Sequence, residues 1–162
     1  MDFKLAEEKD KQEILLLYRA AIGSEGCTWT MEYPNEEILE NDFKRNDLFV
    51  IKNDSEEIVG AISIDDDKEV EALECWSKNL RPGAELARLV VREENQNQGI
   101  ARLLITSAIE VLKKRGYMSV HFLVSKTNFK AINSYNKLNF NVKGESDLYG
   151  ENWWCYEKEI TS

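Results

Sequence analysis

Residues 85–116 read ELARLVVREENQNQGIARLLITSAIEVLKKRG, and the reading of this stretch decides the fold. Residues 85–91 are aliphatic-rich and predict a strand. The segment after Gly99 has the period of an amphipathic helix, running to about Arg115. Gly116 suits a left-handed cap, and Lys113, Lys114 and Arg115 sit favourably at the helix's negative end. Between strand and helix lies Gln96-Asn97-Gln98-Gly99-Ile100-Ala101, too polar and too glycine-like to continue either element. The first N–H groups of a helix lack internal partners, and the helix dipole makes that end positive. Glycine lets a ligand come close to the backbone. The amides around residues 97–102, helped by Arg102, are therefore a candidate phosphate or pyrophosphate site. An ordinary polar turn that needs Gly99 for its geometry fits the same residues. The dinucleotide fingerprint G-x-G-x-x-G and the P-loop G-x-x-x-x-G-K-[ST] are both absent here.

Working outward, residues 3–6 predict a short strand and residues 9–21 a helix, with Ile14, Leu15, Leu17 and Tyr18 at helical spacing. Gly23 and Gly26 break it. Residues 35–45 predict a second helix behind Pro34. The period then changes: LFVIK (48–52) and EIVGAISI (57–64) are strand-like and joined by NDSE, a hairpin signal. Gly60 marks a bulge in the second of them. The run DDDKEVEALE (65–74) predicts a solvated loop, or a field that draws cationic substrates. YMSVHFLV (117–124) predicts a strand. Asn128 can cap a helix that runs to Leu138. FNVKGESDLYG (140–150) and NWWCYEKEI (152–160) predict a closing hairpin. The alternation of strands and helices implies an α+β fold, a mixed sheet covered by helices.

The chain of 162 residues predicts one domain spanning residues 1–162. A chain of that size buries about 68–70% of its unfolded surface and needs no metal or disulfide to fold. Its net charge of −9 argues against nucleic acid, which wants a basic surface. No apolar run approaches the roughly 18 residues of a membrane span, and the acidic N-terminus has no signal core, so a cytoplasmic protein is expected. The three cysteines, Cys27, Cys75 and Cys155, are odd in number and form no C-x-x-C, which predicts reduced thiols and no structural zinc. The sole histidine, His121, has no thiol paired with it by sequence.

Gln96 to Ala101 has the form Q-x-x-G-x-A. It resembles the pyrophosphate loop Q/R-x-x-G-x-G/A of the GNAT superfamily of acetyl-CoA-dependent N-acetyltransferases. The whole of residues 86–117 is similar to that family's central strand, loop and helix. NFKAINSYNKLNF (128–140) resembles its next helix and strand, and the order of elements agrees along almost the whole chain. The resemblance implies the GNAT acyl-CoA N-acyltransferase fold, an α/β three-layer sandwich. Two departures stand out. Ala101 replaces the loop's second glycine, which the pattern allows. Gln96, Asn97 and Gln98 stand where many members carry arginine or lysine. This shifts phosphate binding onto backbone amides and Arg102, and points to weaker cofactor affinity.

The resemblance also implies chemistry. The cofactor is acetyl-CoA, held by Leu89, Val90 and Val91 on a strand that splays from its neighbour, by the loop Gln96, Asn97, Gln98, Gly99, Ile100, Ala101 and Arg102, and by Asn128. Backbone groups of the splayed strand polarise the acetyl oxygen. Tyr135 matches the family's general acid beside the cofactor sulfur. Helical spacing alone equally fits a core tyrosine. Glu85 is the candidate base, with Glu71 and Glu74 as alternatives. Trp29, Tyr33, Trp76, Trp153 and Trp154 fall in regions that would form the acceptor pocket, where aromatic faces can hold cations. The reaction implied is acetyl transfer to a primary amine by direct attack, on a small molecule rather than a protein, by a chain that the family suggests can dimerise. Rival readings are an acyl-CoA-binding regulatory module without turnover, and a nucleotide binder that uses the loop alone.

Overall fold

The computed structural model describes residues 1–161. In chain order the elements are β1 (Asp2–Leu5), α1 (Lys11–Ala21), α2 (Glu36–Lys44), β2 (Leu48–Lys52), β3 (Ile58–Asp65), α3 (Lys68–Glu71), β4 (Gly83–Val91), α4 (Ile100–Lys114), β5 (Ser119–Ser125), α5 (Phe129–Lys137), β6 (Asn141–Leu148) and β7 (Glu151–Glu159). The strands form one seven-stranded sheet in the order β1-β2-β3-β4-β5-β7-β6. All neighbours are antiparallel except β4 and β5. The α4 helix supplies the crossover between that parallel pair, as a parallel connection requires.

Helices cover both faces of the sheet. On one face α4 packs Leu104, Ile105, Ala108 and Leu112 against Phe49, Ile51, Val59, Ala84 and Leu86. On the other face Ile14, Leu15, Leu17 and Tyr18 of α1, with Leu39 of α2, pack against Leu48, Val50, Ile58 and Ala61. The five residues of β2 are all buried because both faces are covered. Gly60 sits where α4 comes closest. A β-carbon there would lie 2.9 Å from Leu104 Cδ1 and 3.0 Å from the Val90 carbonyl oxygen. The register of β2 on β3 slips beside it, as the glycine predicts.

Three expectations change. The first helix begins at Lys11, after a short 3-10 turn over Glu8–Asp10. The acidic run is not all loop: Asp67 accepts hydrogen bonds from the Glu69 and Val70 amides and nucleates α3. Strand β4 is not regular. Ala87 pairs with Ser63 but Val90 pairs with Ala61, so β4 carries one extra residue at this point. Ala84 and Leu86 therefore face α4 before the bulge, while Val90 faces α1 after it.

Candidate active site

Strands β4 and β5 pair only over Gly83–Glu85 with Ser119–His121. Beyond that point they part. Strand β4 stays on β3 through Val90 and Val91, and β5 stays on β7 from Phe122 to Ser125. The facing edges of both strands are left without a strand partner. The cleft between them holds about 780 Å³, within the usual range of a ligand site. Residues 86–92 form one wall and residues 122–125 the other. Tyr135 closes the side under α5, and Trp29 and Trp153 line the rim.

At the end of β4 the chain turns into α4 through Gly99, with φ of +81° and no side-chain cap for the helix. Asn97 is also left-handed, at +63°. Nothing lies within 4 Å of where a Gly99 β-carbon would stand, so the backbone here faces open space. The first turn of α4 therefore keeps its unpaired N–H groups and its positive dipole end available. The glutamines brace the loop internally: Gln96 Nε2 donates to the Val91 carbonyl at 3.2 Å and Gln98 Nε2 to the Glu94 carbonyl at 3.3 Å. The Ile100 side chain is buried in the core under the sheet, so only its amide can serve a ligand. Ala101 is half-buried beside it and Arg102 is exposed.

Asn128 lines the cleft and caps α5 by accepting from the Ala131 amide at 3.1 Å. Tyr135 packs its ring 4.4 Å from that of Phe122. Burial pushes its hydroxyl up to about 12, so it carries its proton at neutral pH. Glu85 does not line the cleft. It occupies the last paired position before the strands part. Its Oε1 is buried without a partner, and it forms a carboxylate cluster with Asp65 and Asp67. Burial, then the charges of those two aspartates, raise it well above the usual glutamate range. Glu71 and Glu74 are exposed. His121 is buried with Nε2 unpartnered, and burial holds it down to about 4, so it is neutral.

The acceptor-side aromatics divide. Trp29 lines the cleft, edge-on to Tyr18 at 5.4 Å. Tyr33 is part-exposed and its hydroxyl accepts from Arg88 Nη1 at 2.9 Å. Trp76 does not reach the cleft: its ring lies tilted against His121, centroids 4.5 Å apart, and its Nε1 donates to the Val70 carbonyl. Trp154 also lies outside, packed on the α4 side with Lys126 Nζ 4.5 Å from its ring centre. Strand alternation explains this, because its neighbour Trp153 then faces the cleft.

The Acetyltransferase (GNAT) family model matches residues 14–140. The chain belongs to the GNAT acetyltransferase family. Its GNAT fold is shared with a ribosomal-protein-alanine N-acetyltransferase from Brucella melitensis, at TM-score 0.77 and 19% identity over 98% of this chain and 99% of that one. A Salmonella typhimurium structure solved with its cofactor acetyl-CoA matches at TM-score 0.77 and 16% identity, over 100% and 95% of the two chains. The ribosomal-protein-S18-alanine N-acetyltransferase of Escherichia coli matches at 0.74 and 18%, over 99% and 94%. No curated protein matches. The GNAT family uses acetyl-CoA, and the geometry fits that cofactor. The open strand edges suit an extended amide-bearing arm, and the uncapped start of α4 suits a pyrophosphate.

Sequence reasoning missed two features of this GNAT site. The first is Arg88, whose side chain is buried in an ion network with Asp42 and Asp65. An arginine inside an aliphatic strand was its only trace. The second is Gly26, where a β-carbon would come within 2.9 Å of Asn128 Cα. That contact presses the loop after α1 onto the start of α5, across the cleft.

Proposed function

We propose that the protein transfers an acetyl group from acetyl-CoA directly to a primary amine, with both substrates bound at once. The observation that carries this is the parting of β4 from β5 after Glu85 and His121, with Tyr135 facing the opened space. Bound acetyl-CoA supplies a thioester whose carbonyl carbon an amine can attack. Backbone N–H groups of Leu89 and Val91, which alternate away from β3 toward the open edge, stabilise negative charge that gathers on the carbonyl oxygen. Donors of this kind are worth about 10²–10³ in rate. The amides at the start of α4, with Arg102, hold the pyrophosphate end, and Asn128 holds the arm. Tyr135, protonated and half-buried against the cleft, gives its proton to the leaving sulfur. Glu85, its affinity for protons raised, takes one from the incoming ammonium through an intervening water, because it stands at the fork of the two strands and does not line the cleft itself.

The acceptor is a small-molecule amine that enters past Trp29 and Tyr33. The carboxylates Asp65, Asp67 and Glu85 favour a cation there. Three free thiols suit a reducing, cytoplasmic location.

The test is calorimetry with acetyl-CoA followed by thiol release against a panel of polyamines, amino acids, aminoglycosides and peptides. Binding and amine-dependent release are expected. Binding without release from any amine would make the chain an acyl-CoA-binding module, and no binding at millimolar cofactor would end both readings. Tyr135→Phe is expected to lower kcat by about 10²-fold with little change in acetyl-CoA affinity. Unchanged turnover would remove Tyr135 as the acid.

A further inference from the structure

Arg88 holds a φ of +50° inside a strand, a left-handed conformation that a long side chain keeps only when its surroundings impose it. It lies in the extra-residue step of β4, between the Ala87–Ser63 and Val90–Ala61 pairs. Its side chain is 3% exposed, and every nitrogen of its guanidinium makes a hydrogen bond. Nε donates to Asp42 Oδ2 at 2.7 Å and Nη2 to Asp42 Oδ1 at 2.8 Å. Nη1 donates to Asp65 Oδ2 at 3.0 Å and to the Tyr33 hydroxyl at 2.9 Å. Asp42 is held in turn by Ser63 Oγ at 2.7 Å and Arg45 Nη2 at 3.0 Å.

These partners come from α2, from β3 and from the segment before α2, so the bulge is tied to three parts of the chain at once. A planar two-bond pair with a carboxylate fixes orientation as well as distance. The bulge is also what turns the peptides of residues 89–91 relative to residues 84–86. Leu86 and Leu89, three residues apart in a strand, pack toward the same core. Without the extra residue they would point to opposite faces.

We propose that Arg88, locked by Asp42, is a positioning residue: it sets the β4 bulge and thereby aims the open-edge backbone N–H groups of Leu89 and Val91 at the thioester carbonyl. The proposal rests on the acetyl-transfer reading above. Arg88 touches neither reacting atom. It acts through the backbone it carries.

The experiment is infrared difference spectroscopy of acetyl-CoA labelled with ¹³C at the acetyl carbonyl, bound to the wild type and to two variants, with steady-state kinetics alongside. The first variant is Asp42→Asn. The second combines Asp42→Leu with Arg88→Met, removing both buried charges together so that neither is left unpaired should the first fail to fold. In the wild type the carbonyl stretch is expected to fall in frequency on binding. In the variants most of that shift is lost, and kcat drops about 10- to 100-fold while KM for acetyl-CoA changes by less than about threefold. A carbonyl shift and kcat equal to wild type, with only a lower melting temperature, would make the clamp purely structural and overturn the proposal while acetyl transfer stands. Failure of the wild type to bind acetyl-CoA would overturn the acetyl-transfer reading, and the clamp with it.

Discussion

Gly99 is the residue on which the loop turns. Its φ of +81° is one that side chains rarely adopt, and the space before it is open. Gly99→Glu is expected to weaken acetyl-CoA binding by about 100-fold, because it adds backbone strain and sets a carboxylate against a phosphate. Asn97→Arg is expected to tighten binding by about 3- to 10-fold, because it places a cation where the loop has only amides. Titration calorimetry of the two variants checks this, and the reverse ranking would undo the anion-site reading. Arg92 does not fill that need, since its Nη2 is taken by Glu13 at 2.6 Å. Glu85 sets a second expectation. A base whose proton affinity is raised must lose its proton before it can work, so kcat/KM should fall on the acid side of a limb well above the usual glutamate range. Glu85→Gln should abolish that limb and lower kcat about 10²-fold. A limb that survives the substitution would place the base elsewhere.

At the scale of elements, strand β5 carries a group that makes folding sensitive to acid. His121 is buried and neutral, and its partner across the parallel pair is Glu85. In the folded chain it takes a proton only near pH 4, whereas the unfolded chain takes one at its ordinary value of 6.5. The folded state thus binds fewer protons between those values, and stability falls as pH drops from 6.5 toward 4. The loss contributed by this one group is about 3 kcal/mol by the low end of the window. Denaturant unfolding at a series of pH values, compared with His121→Phe, should show the variant losing less over that range. Equal pH dependence would mean that other groups carry the acid sensitivity. Strand β4 teaches a different lesson. Its hydrophobic run was legible, but its extra residue was not, because the bulge depends on what Arg88 finds in α2 and β3.

For the molecule as a whole, the cleft is a property of parts distant in sequence. Residues 22–29 after α1, the wall of β4, the open edge of β5 and the start of α5 all contribute to it. Gly26 lies directly on Asn128, so Gly26→Val should push the loop and α5 apart. A fall in acetyl-CoA affinity of about tenfold or more is expected, since both sides of the arm site move. Calorimetry measures it, and unchanged affinity would show that the loop is not part of the cofactor site. The sequence by itself determined the element order apart from α3, the loop at Gln96–Ala101, the helix cap at Asn128 and Tyr135 on an apolar helical face. These are local: period, capping chemistry and glycine act over a few residues. Only the tertiary structure decided that Trp76 and Trp154 turn away from the cleft while Trp29 and Trp153 face it. It alone placed Glu85 at the fork and bound Arg88 to Asp42, 46 residues away. Such pairings depend on strand register and on which buried charge finds which partner, and those are settled only when distant segments meet.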